Sequence, residues 1–110
     1  MQIFHVHVYF SESEIELAAR VRENLSEALP KLTYIGRPIT KPIGPHSKPM
    51  FEIHIPASEI ETATPVIDEM RQGLSVLIHP VQENELDAHT VSAKWLGQKL
   101  PLDLEILKPN

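Results

Sequence analysis

The chain has 110 residues, 42% of them hydrophobic, with 10 Lys and Arg against 15 Asp and Glu for a net charge of −5, and no cysteine. That length fits one domain, taken as 1–110, while the missing thiols exclude disulfides, thiolate metal sites and a cysteine nucleophile. The acidic balance argues against nucleic acid, whose phosphates need a basic surface, and neither a membrane span of ~20 apolar residues nor a secretion signal is legible, so a cytoplasmic location is expected.

The first strand is predicted over 2–10, where HVHVYF alternates. SESE follows, with Ser11 and Glu14 spaced as a capping box. Leu17, Val21, Leu25, Ala28 and Leu29 recur at helical spacing until Pro30 stops them. Residues 31–35 read as a short strand. Residues 36–49, GRPITKPIGPHSKP, form a Pro- and Gly-rich loop long enough to carry function. MFEIHI, 50–55, is a third strand with Phe51, Ile53 and Ile55 on one face. A second helix starts near Ser58, which with Glu61 repeats the capping spacing. Its interior Pro65 predicts a kink or a restart with Thr64 as cap, and Gly73 suits its end. LSVLIHP, 74–80, is the fourth strand. Residues 85–96 are predicted as a helix ended by Gly97, with Trp95 as its anchor, and LDLEIL, 102–107, alternates as a last strand.

The order β-α-β-β-α-β predicts an α+β fold: a ferredoxin-like βαββαβ sandwich with an extra C-terminal helix and strand. The expected strand order is 4-1-3-2, with strand 1 parallel to strand 3 and antiparallel to strand 4. Parity then sends Phe4, Val6, Val8, Phe51, Ile53, Ile55, Val76 and Ile78 to the helices. The opposite face collects His5, His7 and Tyr9, then Glu52 and His54, then Leu77 and His79. Strand 4 runs backwards, so His79 should lie beside His5. Ile3, Tyr9, Met50 and Leu77 make that face apolar enough to predict a homodimer or a covered face.

The chain has six histidines, at 5, 7, 46, 54, 79 and 89. A single strand histidine is more often a structural residue than a ligand, and alternating polar residues are what an exposed sheet face shows. Convergence of three imidazoles with a carboxylate nearby suits a divalent ion, and without thiolates Fe(II), Zn, Mn and Cu(II) are all open. Tyr9 reads as packing and His54 as structural. Arg37, a cation in the long loop, is a candidate contact for a substrate carboxylate.

HVHVYF, GPHSKPMFEIHI, LSVLIHPV, DAHTVSAKWLG and LPLDL, in this order from Phe4 to Leu104, together resemble the DOPA 4,5-dioxygenase family of small aromatic ring-cleaving enzymes. The resemblance implies metal-dependent extradiol cleavage of a catechol such as L-DOPA by O2, giving a semialdehyde. It implies Fe(II), with Zn or Mn as replacements. On it, His5, His7 and His79 are expected nearest the metal, with Glu52 as the alternative carboxylate ligand, and His46 and His89 as acid, base or substrate contacts. Two other readings compete: a non-catalytic dimer binding a metal or small ligand on its sheet face, and a cofactor-free oxygenase built from two sheets.

Overall fold

The computed structural model describes residues 2–108. Strand β1 (Ile3–Tyr9) leads through a 3-10 turn at Glu12–Glu14 into helix α1 (Ile15–Ala28). Strand β2 (Tyr34–Ile35), the long loop and strand β3 (Met50–Pro56) follow, then a 3-10 turn and helix α2 (Ile60–Met70). Strand β4 (Val76–Pro80), helix α3 (Glu85–His89), strand β5 (Lys94–Leu96) and a 3-10 turn at Leu104–Leu107 complete it. No helix among the described residues is long and apolar enough to cross a membrane.

The sheet order is β2-β3-β1-β4-β5, with every pairing antiparallel. The expected order is therefore observed with one strand added, and the direction expected between the first and third strands is corrected. Helix α1 carries the chain back, so β1 and β2 run the same way. The connection from 36 to 49 then reverses β3, which must oppose β1. In this register His5 sits between His54 and His79, and His7 between Glu52 and Leu77.

The apolar parity is as expected. Val6, Val8, Phe51, Ile53, Ile55, Val76 and Ile78 are buried against Ala18, Val21 and Leu25 of α1 and Ala63 and Ile67 of α2. A buried aliphatic or aromatic side chain contributes roughly 1.5–3 kcal/mol, so this layer holds the fold. The Ser11 capping spacing is realised through Glu14, whose carboxylate accepts from the Ser11 N–H at 2.9 Å. No side-chain cap of that kind forms at Ser58. Helix α2 is continuous, with Pro65 inside it, and Thr64 donates back to the Ile60 carbonyl at 2.7 Å instead of capping a new helix.

Two C-terminal expectations are corrected. The predicted helix at 85–96 stops at His89, capped at its start by Asn84, whose side chain accepts from the Asp87 N–H. Thr90, Val91 and Ser92 then turn the chain so that Lys94–Leu96 adds to the free edge of β4, and Trp95 lies on a strand. That edge of β4 is thereby taken, and 102–107 joins neither outer edge of the five-stranded sheet as a ladder. Only Leu102 makes a bridge, with His46, before the 3-10 turn.

The helix-free face is not bare. The long loop and the segment after β5 lay Ile39, Leu100 and Leu102 over Tyr9, Met50 and Leu77, making a second, smaller core. At these residues the chain covers its own sheet face.

Candidate metal centre

The remaining half of that face gathers all six histidines. His5 and His7 come from β1, His54 from β3 and His79 from β4, each placed by strand alternation. His46 reaches in from the long loop, pinned by the Leu102 bridge and by Asp103 N–H donating to the Pro45 carbonyl at 2.7 Å. His89 closes the group from the last turn of α3. His5, His7, His46, His79 and His89 line a pocket of about 200 Å³ with Glu52, Glu85, Pro45, Val81 and Leu107. His7, His46, His79 and His89 are the buried polar residues found among the described residues.

Buried polar groups are normally paired, and the partners here fix ring states. A backbone carbonyl can only accept. His79 therefore donates from Nδ1 to the Pro80 carbonyl at 2.9 Å, and His89 from Nδ1 to the Glu85 carbonyl at 2.8 Å. Both present bare Nε2 lone pairs. The His79 Nε2 lies 3.0 Å from the Nε2 of His7, which must hold the shared proton. His7 Nδ1 is then a lone pair, buried and without a hydrogen-bond partner among the described residues. It lies 3.6 Å from Glu52 Oε1.

That orphan is a group that a cation at the opposite ring nitrogen would relieve. An ion in place of the shared proton would take Nε2 of both His7 and His79. The displaced proton could then occupy His7 Nδ1, facing the Glu52 carboxylate. This carboxylate–imidazole–metal order is a common support for metal-binding histidines. Donor atoms of His5, His7 and His79 lie within 4.8 Å of one another, and so do those of His7, His46 and His89. A third trio, His5, Glu52 and His54, meets the same spacing but not the chemistry. The rings of His5 and His54 are stacked, 4.0 Å apart and 8° from parallel. An imidazole binds through a lone pair in its ring plane, and no single ion lies in both of two parallel planes that far apart. His54 instead pairs with the Glu52 carboxylate.

The electrostatics favour neutral rings. Burial, followed by the neighbouring His46 and His79, holds His7 well below its ordinary pKa. Burial pulls His46 to about 4, aided by His89, and pulls His79 to about 4 against the opposing hydrogen bond to Pro80. Burial also lowers His5, with Glu52 opposing. Neutral imidazole is the form that binds metals.

Each residue singled out in the sequence for this site is thus brought to one place. Arg37 is not: it is exposed and does not line the pocket. Tyr9, read as packing, does more than pack, because its hydroxyl meets His46 Nδ1 at 2.7 Å. His54, read as structural, braces Glu52. The signal for both was strand parity, which puts them on the histidine face.

An α+β sandwich whose helix-free sheet face carries buried imidazoles at metal-ligand spacing is the class of protein these features define. The model of the Dopa 4,5-dioxygenase family matches residues 4–106, and the chain belongs to that family. It is 27% identical over 108 residues to a DOPA 4,5-dioxygenase of Amanita muscaria, covering 92% of this chain and 47% of that protein. It is 37% identical over 116 residues to an uncharacterised 21.2 kDa protein of Botryotinia fuckeliana, covering 96% of this chain and 63% of the other. The chain thus spans about half to two thirds of these curated relatives. A crystal structure of a candidate dioxygenase from Nostoc punctiforme superposes with a TM-score of 0.89 at 37% identity, covering 97% of this chain and 91% of that one.

Proposed function

We propose that this chain cleaves the ring of a catechol with O2, beside the two hydroxyls, at a divalent metal held by His5, His7 and His79. The observation that carries this is the orphaned His7 nitrogen amid imidazole donors at ligand spacing, in a chain of this family. Both oxygen atoms of O2 enter the product, which becomes a semialdehyde and a carboxylic acid on the opened ring. Fe(II), with Mn or Zn as substitutes for binding, would supply a chelating centre for both catechol oxygens and a path for electron density from ring to O2.

The protein's share is holding and proton handling. Glu52 orients His7 and balances part of the ion's charge. His89, with a bare Nε2 on the pocket, is placed to take a catechol proton, and His46 to return one. Pro45, Val81 and Leu107 give the ring apolar walls. A volume of about 200 Å³ is below the roughly 300–1,000 Å³ of drug-sized ligand sites, which suits a single ring. The charged lining residues found are Glu52 and Glu85, with no Lys or Arg among those described. A catechol with an ammonium on its side chain is therefore preferred over one with only a carboxylate.

The test is O2 uptake by protein loaded anaerobically with Fe(II), offered dopamine, L-DOPA and 3,4-dihydroxyphenylpropionate. The expected result is one O2 per catechol, with the amines consumed faster than the acid and none consumed by a His5→Ala, His79→Ala double variant. Uptake by none of the three from folded, iron-loaded protein would leave a binding module, and metal-independent uptake a cofactor-free oxygenase. Separately, Glu52→Gln is expected to weaken Zn(II) binding by about 10–100-fold, the usual cost of losing an orienting partner, as measured by calorimetric titration. Unchanged affinity would remove Glu52 from the centre.

A further inference from the structure

We infer that Tyr9 is a positioning residue that fixes the tautomer of His46, so that His46 offers the pocket an N–H and not a lone pair. This rests on the reading of the pocket as the active centre, and it goes further by separating the donors from the ligands.

The argument is an accounting of protons. Tyr9 is buried, 1% exposed, and its hydroxyl makes one hydrogen bond, 2.7 Å to His46 Nδ1. Two arrangements are available. In the first, the phenol donates to a bare Nδ1 and the His46 proton sits on Nε2. In the second, Nδ1–H donates to the phenol oxygen. The phenol proton would then need another acceptor, and among the described residues no other hydrogen bond to the Tyr9 hydroxyl is formed. A buried donor left unpaired costs about 1–3 kcal/mol. A phenol is also a good donor and a poor acceptor, whereas a neutral imidazole nitrogen is a good acceptor. Both considerations select the first arrangement. The ring of Tyr9 is itself immobilised, stacked on Trp95 at 5.7 Å and packed in the second core with Leu77 and Leu100.

His46 then stands apart from its neighbours. His79 and His89 are locked by backbone carbonyls into the opposite tautomer, with Nε2 bare. Their lone pairs suit metal binding or proton acceptance. The nitrogen of His46 that Tyr9 leaves free carries a hydrogen, which suits donation to a substrate or product oxygen. Of the two trios that share His7, the one containing His46 is thereby disfavoured as a ligand set, and His5, His7 and His79 remain.

Histidine 15N–1H correlation NMR on the metal-free protein, wild type and Tyr9→Phe, tests this without any turnover. His46 is expected to show a protonated Nε2 in the wild type, to keep that proton when Zn(II) is added, and to shift toward Nδ1–H in Tyr9→Phe. A wild-type His46 protonated on Nδ1 would overturn the assignment even if the variant failed to fold. So would an unchanged tautomer in the variant, or loss of the Nε2 proton on Zn(II) binding. Given turnover, Tyr9→Phe should lower kcat about 10-fold or more with KM little changed, since general acid–base catalysis contributes about 10²–10⁴-fold. If wild type does not turn over at all, the NMR result still decides the role of Tyr9.

Discussion

A His7→Leu chain is expected to fold and to lose both its metal and its ring cleavage. His7 lies at the centre of the sheet face, common to both ligand trios that the ring geometry allows. Losing an orienting partner alone costs about 10–100-fold in affinity, so losing the ligand itself should cost more than ~100-fold. The fold is not expected to suffer. In the metal-free chain, His7 buries an unpartnered nitrogen, a burden of about 1–3 kcal/mol, against roughly 0.5–1.5 kcal/mol for the one hydrogen bond it shares with His79. Leucine removes both but leaves the buried His79 Nε2 without its partner, a cost of about 1–3 kcal/mol that offsets the gain, and the helix-facing core is untouched. Metal-free His7→Leu should therefore be about as stable as metal-free wild type in urea titrations, while Zn(II) stabilises only the wild type. A large loss of stability in the variant would mean that His7 is structural first.

The second large effect is on acid stability. In an unfolded chain a histidine titrates near 6.5, but the fold holds His46 and His79 at about 4 and His7 well below its ordinary value. Between those values the unfolded chain binds protons that the folded chain refuses. Stability is then level above pH 6.5 and falls as pH drops toward 4. Each pKa unit corresponds to about 1.4 kcal/mol. Allowing for solvent in the pocket, His46 and His79 should each remove about 2 kcal/mol. Against a typical total of 5–15 kcal/mol, that is a large share of the stability of metal-free protein. Urea unfolding at pH 7.5, 6 and 5 should show the decline, and a His46→Gln, His79→Gln variant should show a flatter profile. Equal stability at all three values in the wild type would contradict neutral burial of these rings.

Much of this site was legible because strand parity is rigid. One strand pattern, HVHVYF, fixed which side chains leave the sheet together, and the order of elements brought His79 back beside His5. The direction of β3 was misjudged, yet its parity was right, so Glu52 and His54 still reached the correct face. His46 and His89 were beyond this kind of inference. One lies in a Pro-rich loop and the other on a helix of five residues, and their positions depend on contacts such as the Leu102 bridge that no local pattern encodes. They were visible only through the resemblance of their motifs. The C-terminal errors have the same root. Alternation in LDLEIL marks a strand only if the segment lies along a sheet edge, and beyond the Leu102 bridge it turns into a 3-10 helix instead. Tyr9 was read as packing because its hydroxyl partner comes from a residue 37 positions away.

The most direct test of the account is the position of a bound ion. Crystals exposed anaerobically to Fe(II) should give a single anomalous-difference peak within coordinating distance of His7 and His79 Nε2, with His5 as the third protein ligand and His46 unligated. A peak coordinated by His46, a peak at His54, or a fully soaked crystal with no peak on the histidine face would contradict it.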